Sequence, residues 1–346
     1  MGRILRVAAA QLGPVHLTSR REETVQRMIA LLESAAAQGV QILLFPEVAF
    51  VTFFPRHLIA DQKELDSFFE HDNDLPHSPN TKLLFEKAME LGVDISVGYA
   101  ERAADGKGYN TSIYYSAKEG KIISKYRKVH LPGTKEPFPN PDAVNQLEKR
   151  YFNPGNLGFK AFRGPDLLSS TAKKGAAGDS NTEGRGDPIM GMIICNDRRW
   201  PEAWRCYGLQ GVELILCGYN TVGWAPDLWG TRKPMTREEA EKEALFHHKL
   251  VMQANSYMNS CFSISAAKAG LEDGKHDLIA GSCITDPEGH VIAEAKGKGD
   301  ELVVAEIDLE DCRQGKEKVF NFEQHRRVEQ YGLITEQTGV VEPKLL

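Results

Sequence analysis

Chemistry can first be read at Cys195. The stretch IMGMIICNDRRWPE (189–202) is apolar from Ile189 to Ile194, and a run so short and rich in isoleucine and methionine reads as a buried strand. It ends on Cys195. Asn196 and Asp197 follow, then Arg198 and Arg199, and Pro201 is placed to open a helix. The carboxyl end of a buried strand, ahead of a helix N-terminus, is where open α/β sheets bind ligands. The thiolate is the nucleophilic form of cysteine, and backbone N–H groups, a helix dipole or cations lower its pKa. Two guanidinium groups beside it suit an anionic substrate, because guanidinium grips carboxylate through two parallel hydrogen bonds. The competing reading is a core thiol followed by solvated surface charge, which is the commoner fate of a lone cysteine. The rest of the chain has to decide.

A second group follows the apolar run QILLF (41–45). Glu47 stands there among Pro46, Val48, Ala49 and Phe50. A carboxylate in that setting is desolvated, which raises its pKa toward the range of a general acid or base. The plainer alternative is that it caps a turn or pairs with an arginine. A third group lies in KYRKVHLP (125–132), where basic residues follow a strand and alternate with Val129 and Leu131. That interleaving points one lysine inward, and a buried lysine needs a carboxylate partner. Glu47 is a candidate partner that spacing alone does not establish.

These residues need elements to hold them. Residues 4–12 read as a strand. Ser19 and Glu22 have capping-box spacing, and Val25, Met28, Ile29 and Leu32 recur at helical period, so 20–38 reads as an amphipathic helix closed by Gly39. A helix opens at Ser78 and Pro79 and closes at Gly92. Strands follow over 93–100, 110–116 and 121–126, then a proline-rich loop over 133–145 and a turn at Asn153, Pro154 and Gly155. Residues 164–187 turn small, polar and glycine-rich and read as a mobile insertion into a domain. After Cys195 come a short helix over 202–210, a strand over 212–217 ending in Gly218, Tyr219, Asn220 and Thr221, and a loop with Trp224 and Trp229. A helix capped by Thr236 and Glu239 runs to about residue 257, and strands follow over 261–267, 278–285, 291–295 and 302–307. The tail from Glu310 is too apolar for free disorder and is expected to pack on the body or on a second subunit.

Composition bounds the rest. The 346 residues are 41% hydrophobic and 26% charged, which is ordinary globular usage, in one large domain or two smaller ones. A formal charge of -6 argues against a nucleic-acid surface, and no apolar run approaches a membrane span. The N-terminus lacks the long apolar core of a signal peptide, so a cytoplasmic protein is expected. Six cysteines without a Cys-x-x-Cys pair, and adjacent His247 and His248 that share no helix face, give no metal site.

Taken together, FPE (45–47), KYRKVHL (125–131) and CND (195–197) closely resemble the carbon–nitrogen hydrolase (nitrilase) superfamily with its Glu-Lys-Cys triad. The three motifs stand in family order, each after an expected strand, and the resemblance spans about 5–309. Within the superfamily the chain is most similar to the N-carbamoyl-D-amino acid hydrolases, through TFFPR (52–56), LEKRYF (147–152), CNDRRWP (195–201), GYNT (218–221), FNF (320–322) and YGLI (331–334). The resemblance implies Glu47 as base, Lys128 as electrostatic stabiliser, Cys195 as nucleophile and Glu148 as a further buried acid that orients the lysine and the substrate. It places Asn196, Arg198, Arg199, Asn220 and Thr221 around a substrate carboxylate. It implies hydrolysis of N-carbamoyl-D-amino acids without metal or cofactor, or, as the alternative, action on another amide, carbamoyl compound or nitrile. The implied fold is an α/β four-layer αββα sandwich over 1–309, with a tail over 310–346, pairing as αββααββα dimers in a homodimer or homotetramer. Departures from the pattern are Gln146 where the family has histidine, Trp224 and Trp229 in a loop that is histidine-rich in relatives, and the 164–187 insertion.

Overall fold

The computed structural model describes residues 2–71, 75–169, 186–230 and 233–345. The insertion read at 164–187 therefore lies mostly outside the described residues, which omit 170–185.

Two sheets face each other. The first is seven-stranded and runs, edge to edge, Glu301–Asp308, Ile4–Gln11, Ile42–Leu44, Asp94–Arg102, Gly108–Ser116 and Lys121–Arg127, with the short Glu70–His71 strand also on Asp94–Arg102. The second runs Val291–Glu294, Cys283–Thr285, Phe262–Ala267, Leu214–Tyr219, Ile189–Ile194 and Phe162–Arg163. Each sheet keeps parallel strands at its centre and antiparallel ones outside. Parallel strands are buried on both faces, which is why QILLF and IMGMII are apolar runs without alternation.

Leu5, Val7, Ile42 and Leu44 of the first sheet meet Met190, Met192, Ile194, Leu216 and Ile264 of the second and form the inter-sheet core. On the outer face of the first sheet, Leu43, Phe45, Ile95 and Val97 pack against Met28 and Leu32 of helix Arg21–Ala37 and Phe85 of helix Lys82–Leu91. On the outer face of the second, Ile193, Ile215 and Cys217 pack against Trp204 and Tyr207 of helix Pro201–Gly208 and Met252 of helix Arg237–Asn259. The layers are therefore α, β, β, α, as the resemblance implied.

Several local readings need correction. The first helix begins without the Ser19–Glu22 box, because the Ser19 hydroxyl instead accepts from the His16 N–H at 2.9 Å. The helix expected from Ser78 starts at Lys82, after a turn in which Ser78 serves Glu70. The strand expected over 278–285 is two, His276–Ile279 and Cys283–Thr285. Ala280 and Gly281 between them take positive φ of 56° and 85°, which no strand can carry. The Thr236–Glu239 capping box is present as expected. In the tail, Cys312 is buried, Lys316 Nζ caps the carbonyls of Val212 and Asn259, and Phe320 packs edge-on against Tyr257. Leu333, Ile334 and Val341 are exposed. Among the described residues no helix is long and apolar enough to cross a membrane.

Candidate active site

Four strands end at one place. Glu47 follows Ile42–Leu44, Lys128 follows Lys121–Arg127, Cys195 follows Ile189–Ile194 and Asn220 follows Leu214–Tyr219. Two come from each sheet, so the site lies at the seam of the sandwich, at the carboxyl ends of its strands. The Pro46–Val48 turn is clamped there. A Cβ on Gly98 would lie 2.7 Å from the Pro46 carbonyl oxygen, and one on Gly218 would lie 2.8 Å from the Glu47 nitrogen. Only glycine on both strands lets the two sheets close on this turn.

Glu47, Lys128 and Glu148 are fully buried. Lys128 Nζ donates to Glu47 Oε1 and to Glu148 Oε2, each at 2.7 Å. Glu47 Oε1 also accepts from Asn110 Nδ2 at 2.7 Å, and Oε2 accepts from Asn220 Nδ2 at 2.6 Å and the Asn220 N–H at 3.2 Å. Gln146 Nε2 donates to Glu148 Oε1 at 2.6 Å. The inward lysine of the basic cluster is thus Lys128, and Glu47 is its partner. Burial alone would lower the Lys128 pKa, but the attraction of Cys195 in its thiolate form and of the Glu148 and Glu47 carboxylates outweighs it and holds the ammonium above its ordinary value. Burial pushes the Glu148 carboxyl up to about 7 against the opposing pull of Lys128.

Cys195 is almost wholly buried and takes a φ of 48°, as Val48 takes 47° beside the glutamate. Left-handed backbone at two non-glycine residues costs on the order of 1–3 kcal/mol each and persists only where the surroundings impose it. The thiol donates to the Asn220 carbonyl at 3.3 Å. Its environment corrects the expectation of a lowered pKa. The residues directly after it form a tight turn, Cys195–Arg199, and the helix begins only at Pro201. Burial, then the Glu47 charge, push the thiol up, and Lys128 and Arg198 offset this only in part. Cys195 therefore rests as a thiol and needs a base at the moment of attack.

The two arginines separate. Arg198 is fully buried. Its Nη1 donates to the Cys195 carbonyl at 2.7 Å, its Nη2 to Thr221 Oγ1 at 3.0 Å, and its guanidinium lies 4.5 Å from the Tyr219 ring centre. Arg199 lines a narrow cavity together with Cys195, Asn220, Thr221, Gln146 and Arg56. Its Nη1 donates to Asn196 Oδ1 at 3.1 Å, and no carboxylate pairs with it among the described residues. Burial, then the Arg198 charge, bring its pKa down to about 10. The remaining expected contacts are turned inward. The Asn196 amide bridges Arg199 and the His130 carbonyl, and both ends of the Asn220 amide are taken up by Glu47 and Arg56.

Arg56, Asn110, Asp197 and Glu272 complete the site without having been singled out. Arg56 Nη1 donates to Glu272 Oε2 at 3.0 Å, and its Nη2 donates to Asn220 Oδ1, which fixes the Asn220 amide so that its nitrogen faces Glu47. Asp197 accepts from the Tyr126 hydroxyl at 2.8 Å and from the N–H groups of His130 and Ile194 at 2.9 and 3.1 Å, locking the turn that carries Cys195. The visible signals were the arginine closing the aromatic run TFFPR and the Asp197 of the CND motif. Nothing in sequence pairs Arg56 with a glutamate 216 positions away.

Comparison with known proteins places the site in context. Residues 6–317 match the family described as carbon-nitrogen hydrolase. The chain is 27% identical over 315 residues to the citrullinase of Francisella tularensis subsp. tularensis, covering 90% of this chain and 91% of that protein. It is 27% identical over 317 residues to the N-carbamoylputrescine amidase of Arabidopsis thaliana, covering 89% of each. Among solved structures, a carbon-nitrogen hydrolase from Helicobacter pylori G27 matches with a TM-score of 0.73 at 19% identity, over 96% of this chain and 99% of that one. A mutant of the amidase from Nesterenkonia sp. AN1, which shows covalent addition of the acetamide moiety of fluoroacetamide at its active site cysteine, matches with a TM-score of 0.66 at 18% identity, over 95% of each chain.

Proposed function

The chain belongs to the carbon–nitrogen hydrolase family, and from that premise we propose that it hydrolyses N-carbamoyl-D-amino acids to D-amino acid, ammonia and carbon dioxide. The observation that carries the substrate reading is Arg199, a cavity-lining guanidinium with no carboxylate partner among the described residues, in the same cavity as the Cys195 thiol. A half-buried guanidinium with no carboxylate of its own is free to take the anion of a ligand. The ureido group is supported by relatives named for citrulline and N-carbamoylputrescine. The D configuration rests on the resemblance at LEKRYF and CNDRRWP. A relative from Pyrococcus abyssi named nitrilase, 26% identical over 307 residues, keeps a nitrile or simple amide as the second reading.

The chemistry proposed assigns each residue the role that the family resemblance implies. Glu47 takes the Cys195 proton as Sγ attacks the ureido carbon, and Lys128 offsets the charge gained. The oxyanion is met by Lys128 and the backbone N–H of Asn196, each such donor contributing about 3–4 kcal/mol. Glu47 returns the proton to departing ammonia, leaving the amino-acid nitrogen attached through a carbonyl to Sγ. Water, deprotonated by Glu47, then cleaves this thioester, and the carbamic acid released loses carbon dioxide. With Glu47 and Lys128 fully buried and Cys195 almost so, the low dielectric strengthens every one of these charge interactions.

Two predictions arise here. Gly218→Ala is expected to lower kcat/KM about 100-fold, the usual cost of moving a reacting group by an ångström, because its methyl group would meet the Glu47 backbone. Kinetics beside a thermal melt check it, and full turnover would show that the turn yields without moving the carboxylate. Glu148, pushed up to about 7, is expected to set an acid limb with its midpoint there in the kcat/KM profile, as protonation removes one of the two charges that hold Lys128. That limb is expected to vanish in Glu148→Gln, and an unchanged limb would assign it elsewhere.

The substrate reading is tested by a hydrolysis screen of N-carbamoyl-D- and L-amino acids beside the matching amides, scoring ammonia and carbon dioxide, with Cys195→Ser as the blank. Ammonia with carbon dioxide from the D series supports the proposal. Ammonia from amides alone transfers the site to the second reading.

A further inference from the structure

Outside the catalytic cavity lies a second, wider space. A cleft of about 780 Å³ opens between the loop after Thr221 and helix Arg237–Asn259. It shares Arg199, Thr221, Val222, Ala225 and Trp229 with the inner cavity, so the two adjoin. Its walls are mainly apolar. Trp224, Trp229 and Met235 line it with Ala240, Ala244 and Val251, and Lys233, Glu243 and His247 also border it. Trp229 is 50% exposed, a large ring left uncovered beside a catalytic cavity. Its ring centre lies 5.4 Å from the Arg199 guanidinium, so the aromatic wall and the anion anchor form one unit.

A small substrate would leave that wall in water. The inner cavity around Cys195 is narrow, and the wider cleft beside it shares the Trp229 wall, which offers a larger α-substituent room outside the cavity. Ala240 and Ala244, four apart on one helix face, leave room where larger residues would close the cleft. We infer that this cleft is the side-chain subsite, and that it selects substrates carrying a large apolar, aromatic side chain. The inference rests on the carbamoyl reading above only for the head group. A ring stacked on Trp229 removes apolar area from water whichever C–N bond is cut.

The test is a ratio. kcat/KM for N-carbamoyl-D-phenylalanine is divided by that for N-carbamoyl-D-alanine in the unaltered protein, in Trp229→Ala and in Ala244→Phe. The ratio is expected to be at least tenfold in the unaltered protein and to fall toward one in both variants, because one loses the aromatic wall and the other fills the space. A general disturbance of the fold lowers both substrates together and leaves the ratio in place. A ratio near one in the unaltered protein, or one that neither variant moves, overturns the inference. If no carbamoyl compound is hydrolysed, the head-group reading has failed, and the same ratio is taken with 3-phenylpropionamide over propionamide. A tenfold preference that collapses in both variants then supports the subsite, and its absence overturns it.

Discussion

Lys128→Met is expected to lower turnover by about four orders of magnitude, combining loss of an oxyanion donor with loss of the charge that holds the base in place. The variant also leaves Glu47 and Glu148 facing each other with nothing between them. Both are fully buried and both now bond Nζ at 2.7 Å. Breaking a buried ion pair in this way typically costs about 3–5 kcal/mol of stability, and the cost should depend on pH. Burial already raises the Glu148 pKa from 4.5 to about 7 while Lys128 pulls it down, so removing the ammonium lets it rise further. A carboxyl raised on folding contributes stability that is present below its unfolded value and lost as pH rises through its folded one. Urea melts should therefore show a larger deficit at about pH 8.5 than at about pH 5.5. Adding Glu148→Gln should restore much of the stability and none of the turnover. Recovery of both would make Lys128 a structural residue.

Arg199→Ala carries the second large effect. Loss of a bidentate, charge-assisted contact to a substrate carboxylate is worth about 2–3 kcal/mol, or a KM raised about 100-fold. Carboxyl-amidated forms of the same N-carbamoyl compounds should change by less than about threefold. Arg199→Lys keeps the charge and loses the planar fork, and should recover only part of the difference. Equal losses on charged and uncharged substrates would remove Arg199 as the carboxylate anchor and leave the hydrolase standing.

What the sequence made legible follows one physical rule. A residue at the end of a strand is placed by that strand, and Glu47, Lys128, Cys195 and Asn220 all stand at such ends, three of them after apolar runs and Lys128 after KIISKYR. The family resemblance tied the first three together, and the buried contacts of Lys128 with Glu47 and Glu148 agree with it. Contacts made across the sandwich left no local trace. Arg56 finds Glu272, and Gly98 and Gly218 clamp the Glu47 turn, through pairings that no periodicity records. Which of two adjacent arginines faces the cavity was equally hidden. Arg198 is turned inward by Thr221 and the Tyr219 ring, and both of these come from another strand end. The thiol's state was misread because burial and the Glu47 charge outweigh the nearby cations, and because the helix opening at Pro201, where it was expected, begins six residues after the sulfur.

The most direct test of the account is the intact mass of the protein during a single turnover. Protein in excess over an N-carbamoyl-D-amino acid is quenched in acid at successive times. A transient gain equal to the substrate less one ammonia, mapped to Cys195, is the predicted result. Ammonia and amino acid released with Cys195 unmodified at every time, and released equally by Cys195→Ala, would contradict it.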